Sequence, residues 1–330
     1  MAARKAPHVV VIGAGSLSQR YHLPSIQHLA QRGLCTFAGL CDLNQGAAAQ
    51  AAKKFGAAQV YSDYMDMLRT ERPDGVFVIV PTKVMQKIAG DVLQTGLPTI
   101  LEKPPGENVK QCRQLIKAAG RTPHMVAFNR RRCPVLVQGK EAIAKRGATK
   151  GASARMYRHL RAEDGYVYGT GIHSIDALRY LGGEIERLET EMQTFKGDKR
   201  PSYTLHLGYK NGAHGTLTIR PESGVQLERY DLFGQEAVAL IYAGVGWLVD
   251  APGRCELYVE NKLVTLPDPI AKFRKLKDPL PDAVGGGFYG EDEAFIQYLH
   301  GKAKLNPTLA ESLPSVQIAE AAQAGKRWRL

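Results

Sequence analysis

The chain has 330 residues, 44% hydrophobic and 23% charged, the composition of a soluble globular protein with one large or two ordinary domains. Its five cysteines (Cys35, Cys41, Cys112, Cys133, Cys255) are an odd number without C-x-x-C spacing, which excludes a disulfide framework and a zinc pattern and points to a reducing compartment. The net charge of +12 suits the steering of an anionic cofactor or substrate; no recognition helix, zinc finger or ribonucleoprotein motif accompanies it, so no nucleic-acid partner is expected.

The opening MAARKAPHVVVIG carries no apolar signal core, and no apolar run approaches membrane-spanning length. A cytoplasmic protein with no membrane partner is expected. HVVVIGAG reads as a strand ending in glycines and PSIQHLAQRG as a helix. CTFAGLCD, GVFVIV, PTILEKP and HMVAFN read as further strands. The helices between them are NQGAAAQAAKKFG, DYMDMLRTER, KVMQKIAGDVLQTG and VKQCRQLIKAAGR. Strands that are apolar throughout and alternate with helices predict a doubly wound parallel sheet covered on both faces. After about residue 150 the period changes to two. ASARMYRH, IERLETEMQTF, YTLHLGY, GTLTIR, QLERYDLFG and AVALIYA read as strands, and Asn211-Gly212 marks a hairpin. PDPIAKFRKLKDPLPDAVGGG reads as a mobile loop that contains the basic run Lys272–Lys277. YGEDEAFIQYLH and SVQIAEAAQAG return to helical spacing.

The fold expected is therefore α/β, with an N-terminal Rossmann domain over residues 1–124. A C-terminal α+β domain with a large, mostly antiparallel open sheet follows over 125–330. Its uncovered sheet face predicts a homodimer or homotetramer.

Gly13-Ala14-Gly15-Ser16-Leu17-Ser18 lies between the first strand and the first helix, the context that the dinucleotide fingerprint requires. Gly13 is expected to make the tight turn, Gly15 to let the pyrophosphate approach, and the amides of Ser16 and Leu17 to face the anion. Ser18 replaces the third glycine and is small enough for close packing. Asp42 ends the second strand where a carboxylate binds the adenosine ribose and repels a 2′-phosphate, so NAD is expected rather than NADP. The bland role for Asp42 is a cap for the next helix.

Arg20-Tyr21-His22-Leu23-Pro24, Val80-Pro81-Thr82, Glu102-Lys103-Pro104 and Gly171-Ile172-His173-Ser174-Ile175-Asp176 together resemble the glucose–fructose oxidoreductase, inositol dehydrogenase and MocA (Gfo/Idh/MocA) family over nearly the whole chain. The resemblance implies a pyridine-nucleotide oxidoreductase acting on sugars, sugar derivatives or cyclic polyols. It places Pro81, Thr82, Glu102 and Lys103 at the cofactor and makes Lys103 and His173 catalytic. Glu102 would orient the nicotinamide ribose or Lys103, and Lys103–Pro104 would be cis. A partly buried lysine exchanges a proton near neutral pH, which suits the role. Asp176, three residues after His173, shares its helix face and is expected to hold the imidazole. Asn129, Arg130 and Arg131 follow the last parallel strand. Asn129 and Arg130, with Thr170 and His173, are the expected substrate contacts, and arginine there suits an anionic, sugar-like substrate. No metal is expected.

The chain departs from the family pattern where Gly169 replaces an aspartate four residues before His173, and where Met85 replaces a histidine. The segment from His159 to Gly165 is short. Tyr166, Tyr168 and Thr170 are candidates for the missing hydrogen bonds. Two alternatives stay open: an NAD-dependent glycosidase that oxidises its substrate transiently, and a cofactor-sensing regulatory protein without turnover.

Overall fold

A computed structural model of the chain describes residues 6–161, 163–276 and 280–329. They form two compact units: the first runs to Phe128 and resumes over Phe288–Leu313, and the second comprises 129–287 and 314–330. The segment Phe288–Leu313, which the sequence boundary at 124/125 leaves with the second domain, is part of the first unit.

In the first unit β1 (His8–Ile12), β2 (Thr36–Cys41), β3 (Gln59–Tyr61), β4 (Gly75–Val78), β5 (Thr99–Glu102) and β6 (His124–Ala127) make one parallel sheet in the order β3-β2-β1-β4-β5-β6. The predicted doubly wound sheet is what forms. Val9, Val10, Val11, Val76, Phe77, Val78, Ile100 and Leu101 are completely buried, as a sheet covered on both faces demands. The covering helices are α1 (Leu23–Gln31), α2 (Gln45–Phe55), α3 (Tyr64–Glu71), α4 (Thr82–Gln94) and α5 (Val109–Ala119). Three starts are capped by side chains that accept a backbone amide two or three residues into the helix: Asn44 from Ala47, Asp63 from Asp66 and Asn108 from Gln111. Strand order reverses between β1 and β4, which opens a crevice beyond their carboxyl ends. The helix Phe288–Leu299 packs on the same sheet, with Phe295 edge-on to Phe77 at 5.0 Å. Gly75 permits this, because a Cβ there would stand 2.8 Å from Leu299 Cδ1.

The second unit carries a nine-stranded sheet in the order β14-β13-β12-β11-β7-β10-β9-β8-β15. Its strands are β7 (Ala152–Tyr157), β8 (Ile185–Gln193), β9 (Ser202–Tyr209), β10 (His214–Arg220), β11 (Leu227–Gly234), β12 (Ala237–Tyr242), β13 (Arg254–Val259), β14 (Lys262–Val264) and β15 (Trp328–Arg329). Among the described residues only the β7–β10 pairing of this sheet is parallel, and the Asn211-Gly212 turn joins β9 to β10 as expected. Helices α6 (Pro134–Ala144) and α7 (Ile172–Gly182) lie against the sheet, where Tyr203, Leu205, Leu207, Leu217 and Ile219 point inward. The outward side chains are polar on β8–β10 (Glu189, Glu191, His206, Thr216) and more apolar on β11–β13 (Phe233, Val238, Leu240, Tyr258).

One expectation fails here. Part of the glycine-rich segment read as a mobile loop is a buried helix, α8 (Leu280–Gly286). Its glycines serve close backbone approach: a Cβ on Gly285 would meet Gly244 O at 2.9 Å. Gly287, at φ +89°, would meet Asn129 O at 2.0 Å. Of the basic run, Lys277 lies outside the described residues.

Candidate active site

The turn after β1 is built as a nucleotide-binding turn should be. Gly13 has φ +107°, and a Cβ there would stand 2.0 Å from Ile79 O, so only glycine fits between β1 and β4. Gly15 is the opposite case, with nothing within 4 Å of its Cβ position. That empty space is what a diphosphate needs to reach the backbone. The helix begins at Ser16, and Gly15 O accepts its first bond from Gln19 N at 3.0 Å. A π turn follows over Ser18–His22, in which Leu23 N bonds Ser18 O. Such turns recur at functional sites.

Gly15, Ser16, Leu17, Ser18, Pro81, Thr82, Glu102 and Lys103 line one cavity of about 270 Å³ together with Ile79 and Val80. The fingerprint, the end of β4 and the end of β5 thus meet at the sheet's switch point. Asp42 stands behind the turn. Its Oδ2 accepts Ala14 N at 2.7 Å and its Oδ1 accepts Asn44 N at 2.8 Å. It therefore braces the fingerprint and leads into α2, whose own cap is Asn44. The Lys103–Pro104 peptide is cis.

In the sequence His22 stands only as part of Arg20–Pro24, and no motif marks a role for it or for Asp292. His22 is fully buried, with Nε2 3.1 Å from Glu102 Oε1 and Nδ1 2.9 Å from Asp292 Oδ1. Glu102 Oε2 accepts the Lys103 amide at 2.9 Å. Burial by itself opposes the imidazolium, but Asp292 and then Glu102 outweigh it and hold the His22 pKa well above its usual value. Burial raises the Asp292 carboxyl, with His22 pulling the other way. Glu291 completes the acidic set: its ligand atom and those of His22 and Asp292 lie within 4.8 Å of one another. One signal for Asp292 was present. Phe288, Asp292 and Phe295 sit at i, i+4 and i+7, so the apolar stripe of that helix carries a carboxylate inward.

In the second unit the predicted residues cluster around arginines. Asn129 is buried and donates to Gly286 O at 2.9 Å. Arg130, expected to face the substrate, is buried and bidentate on Glu228, at 2.9 Å through Nε and 2.6 Å through Nη2. Arg158 reaches the same carboxylate from the other side. Burial would raise Glu228, but Arg130 and then Arg158 bring its pKa down to about 2. The Asp176 carboxylate, expected to hold His173, accepts Arg131 at 2.8 and 2.9 Å and Ser315 at 2.8 Å, so it anchors α7. His173 is buried on α7 at 8% exposure. Thr170 is half-buried beside Arg161, 3.3 Å from its Nη2. No atom lies within 4 Å of a Cβ on Gly169, and Met85 is buried in α4. Among the described residues no helix is long and apolar enough to cross a membrane.

The family model described as "Oxidoreductase family, NAD-binding Rossmann fold" matches residues 8–130, and the GFO/IDH/MocA C-terminal domain model matches 140–239. An inositol 2-dehydrogenase of Saccharopolyspora erythraea is 27% identical over 215 residues, 60% of this chain and 62% of its own length. A levoglucosan dehydrogenase of Pseudarthrobacter phenanthrenivorans is 27% identical over 210 residues, 56% of this chain and 50% of its own. The chain thus matches less than two thirds of the length of these relatives. A levoglucosan dehydrogenase solved with NADH and levoglucosan shares the fold at TM-score 0.79 and 18% identity, covering 98% of this chain and 99% of its own. With both domain models matched, and with the glycine turn, the Glu-Lys-Pro strand end and the two-sheet architecture in place, this chain belongs to the Gfo/Idh/MocA family of oxidoreductases.

Proposed function

We propose that the chain is an NAD-dependent dehydrogenase acting on a secondary alcohol of a sugar, sugar derivative or cyclic polyol. The observation that carries this reading is the cavity that joins the glycine turn to Glu102 and Lys103. At one end, the open face of Gly15 and the first amides of the helix, Ser16 and Leu17, suit a diphosphate. At the other, Lys103 is half-buried at the end of β5, where doubly wound sheets bind ligands. Bound there, NAD supplies the hydride acceptor.

In this reading Lys103 Nζ takes the hydroxyl proton as the alcohol carbon is oxidised, and Glu102 fixes the backbone from which Lys103 projects. His173 and Thr170 are the substrate-side groups of the second unit. Arg130 is committed to Glu228 and Asp176 to Arg131. NAD is preferred to NADP because the Asp42 carboxylate at the end of β2 would repel a 2′-phosphate.

The test is NADH formation over a panel of sugars, cyclic polyols and sugar acids, read by absorbance. Lys103→Ala is expected to lower kcat by about 10²–10⁴-fold on whichever substrate is found, with NAD affinity lowered by no more than about tenfold. Calorimetry showing no affinity for NAD or NADP in either redox state would end this reading.

A further inference from the structure

We propose that His22 is a positioning residue for the nucleotide cavity: held by Asp292, it acts through Glu102 to fix where Lys103 sits. This rests on the dehydrogenase reading above. The geometry is a chain of single contacts. Asp292 Oδ1 takes His22 Nδ1 at 2.9 Å, His22 Nε2 meets Glu102 Oε1 at 3.1 Å, and Glu102 Oε2 takes the Lys103 amide at 2.9 Å. A carboxylate held at both oxygens cannot rotate, so the peptide that carries Lys103 is held with it.

The imidazole is fixed in turn. It is fully buried, its ring meets Phe288 edge-on at 5.6 Å, and it is the last residue of the π turn Ser18–His22. The charged groups that act on it are Asp292 from the helix Phe288–Leu299 and Glu102 from β5, with Glu291 beside Asp292. Flanked by two carboxylates, a protonated His22 donates from both ring nitrogens, to Asp292 and to Glu102. Loss of that proton leaves one carboxylate without its donor, and the freed one shifts. A purely structural histidine in the core would stabilise the unit without coupling to Glu102.

The two roles separate in a double-mutant cycle on the whole chain, with NADH as the fluorescent probe. His22→Gln and Glu102→Gln are each expected to weaken NADH binding about tenfold. The double variant should be no weaker than about tenfold, because both changes break the same link. Additive losses, near a hundredfold together, would overturn the proposal, as would His22→Gln binding NADH like the parent.

If His22→Gln does not fold, Asp292→Asn serves instead, since it keeps the imidazole but removes the carboxylate that holds its proton. NADH affinity in that variant should fall as pH rises past neutrality, while the parent holds its affinity to higher pH; matching profiles would overturn the proposal. If the parent chain itself does not bind NADH, the dehydrogenase reading fails separately. Labelling of Lys103 by an amine reagent then decides the present point. A severalfold difference between parent and His22→Gln supports it, and equal rates overturn it.

Discussion

The two units bury charge in opposite ways. In the first, one imidazole is held between two carboxylates, Asp292 and Glu102, and the cation is a group that can lose its proton. In the second, Glu228 sits between Arg130 and Arg158, so the excess is positive and the cations never titrate. Each motif needs its counter-charge, but only the first can lose it within an ordinary pH range. The nucleotide-side unit therefore carries a proton-dependent element beneath its candidate site, whereas the second unit has a fixed one.

The strongest challenge to this contrast is Glu228→Gln. It leaves two buried guanidiniums facing a neutral amide, a cost of about 3–5 kcal/mol. The melting transition of the second unit should fall by about 10 °C, as calorimetry can measure. A shift under 2 °C would mean that the arginines find other partners.

A smaller effect is expected from pH, with a different sign in each unit. The folded pKa of His22 is raised, so its contribution is complete below the usual imidazole value and is lost as pH rises through the folded one. The pKa of Glu228 is lowered to about 2, so its contribution is complete above the usual carboxylate value and is lost as pH falls toward 2. Melts across pH should thus show the first unit weakening toward alkaline pH and the second toward acid. A single transition shifting as one body would remove the distinction.

The smallest effect expected is that of Gly169→Asp, which adds the carboxylate that the family pattern leads one to expect, at a half-buried position where a Cβ has room. Its melting temperature should stay within about 2 °C of the parent, since substitutions away from packed features usually cost under 0.5 kcal/mol. A larger loss would show that glycine is required for the backbone there.

What the sequence reveals follows the range of the interactions. The parallel sheet was legible because each of its long strands is an unbroken apolar run. The cavity wall was legible because Gly13–Ser18 and Glu102–Lys103 are contiguous stretches whose turn chemistry is local. β3 escaped notice because three residues, Gln59–Tyr61, make too short a run for any period. α8 was misread because glycines that let backbones touch look, in sequence, like glycines that let a loop bend. The His22–Asp292 contact was invisible for another reason: its partners are 270 positions apart, and neither neighbourhood carries a pattern that names the other. The arginine assignments went astray similarly. A basic run such as Arg130–Arg132 shows its charge but not the carboxylates, Glu228 and Asp176, that absorb it.

The return of Phe288–Leu313 to the first unit bears on how the protein is made. A ribosome that has delivered all six parallel strands has not yet delivered Asp292, Phe295 or the ring of Phe288, which stacks on Tyr21 at 4.2 Å. The whole intervening stretch, residues 129–287, must emerge first. Until then the nascent nucleotide-side sheet carries His22 without its second carboxylate and a bare patch where the late helix will lie. Competence of that half is thus delayed until residues 129–287 and the late helix have been made, so a chain released before then is a poor trap for nucleotide and a ready target for chaperones and proteases.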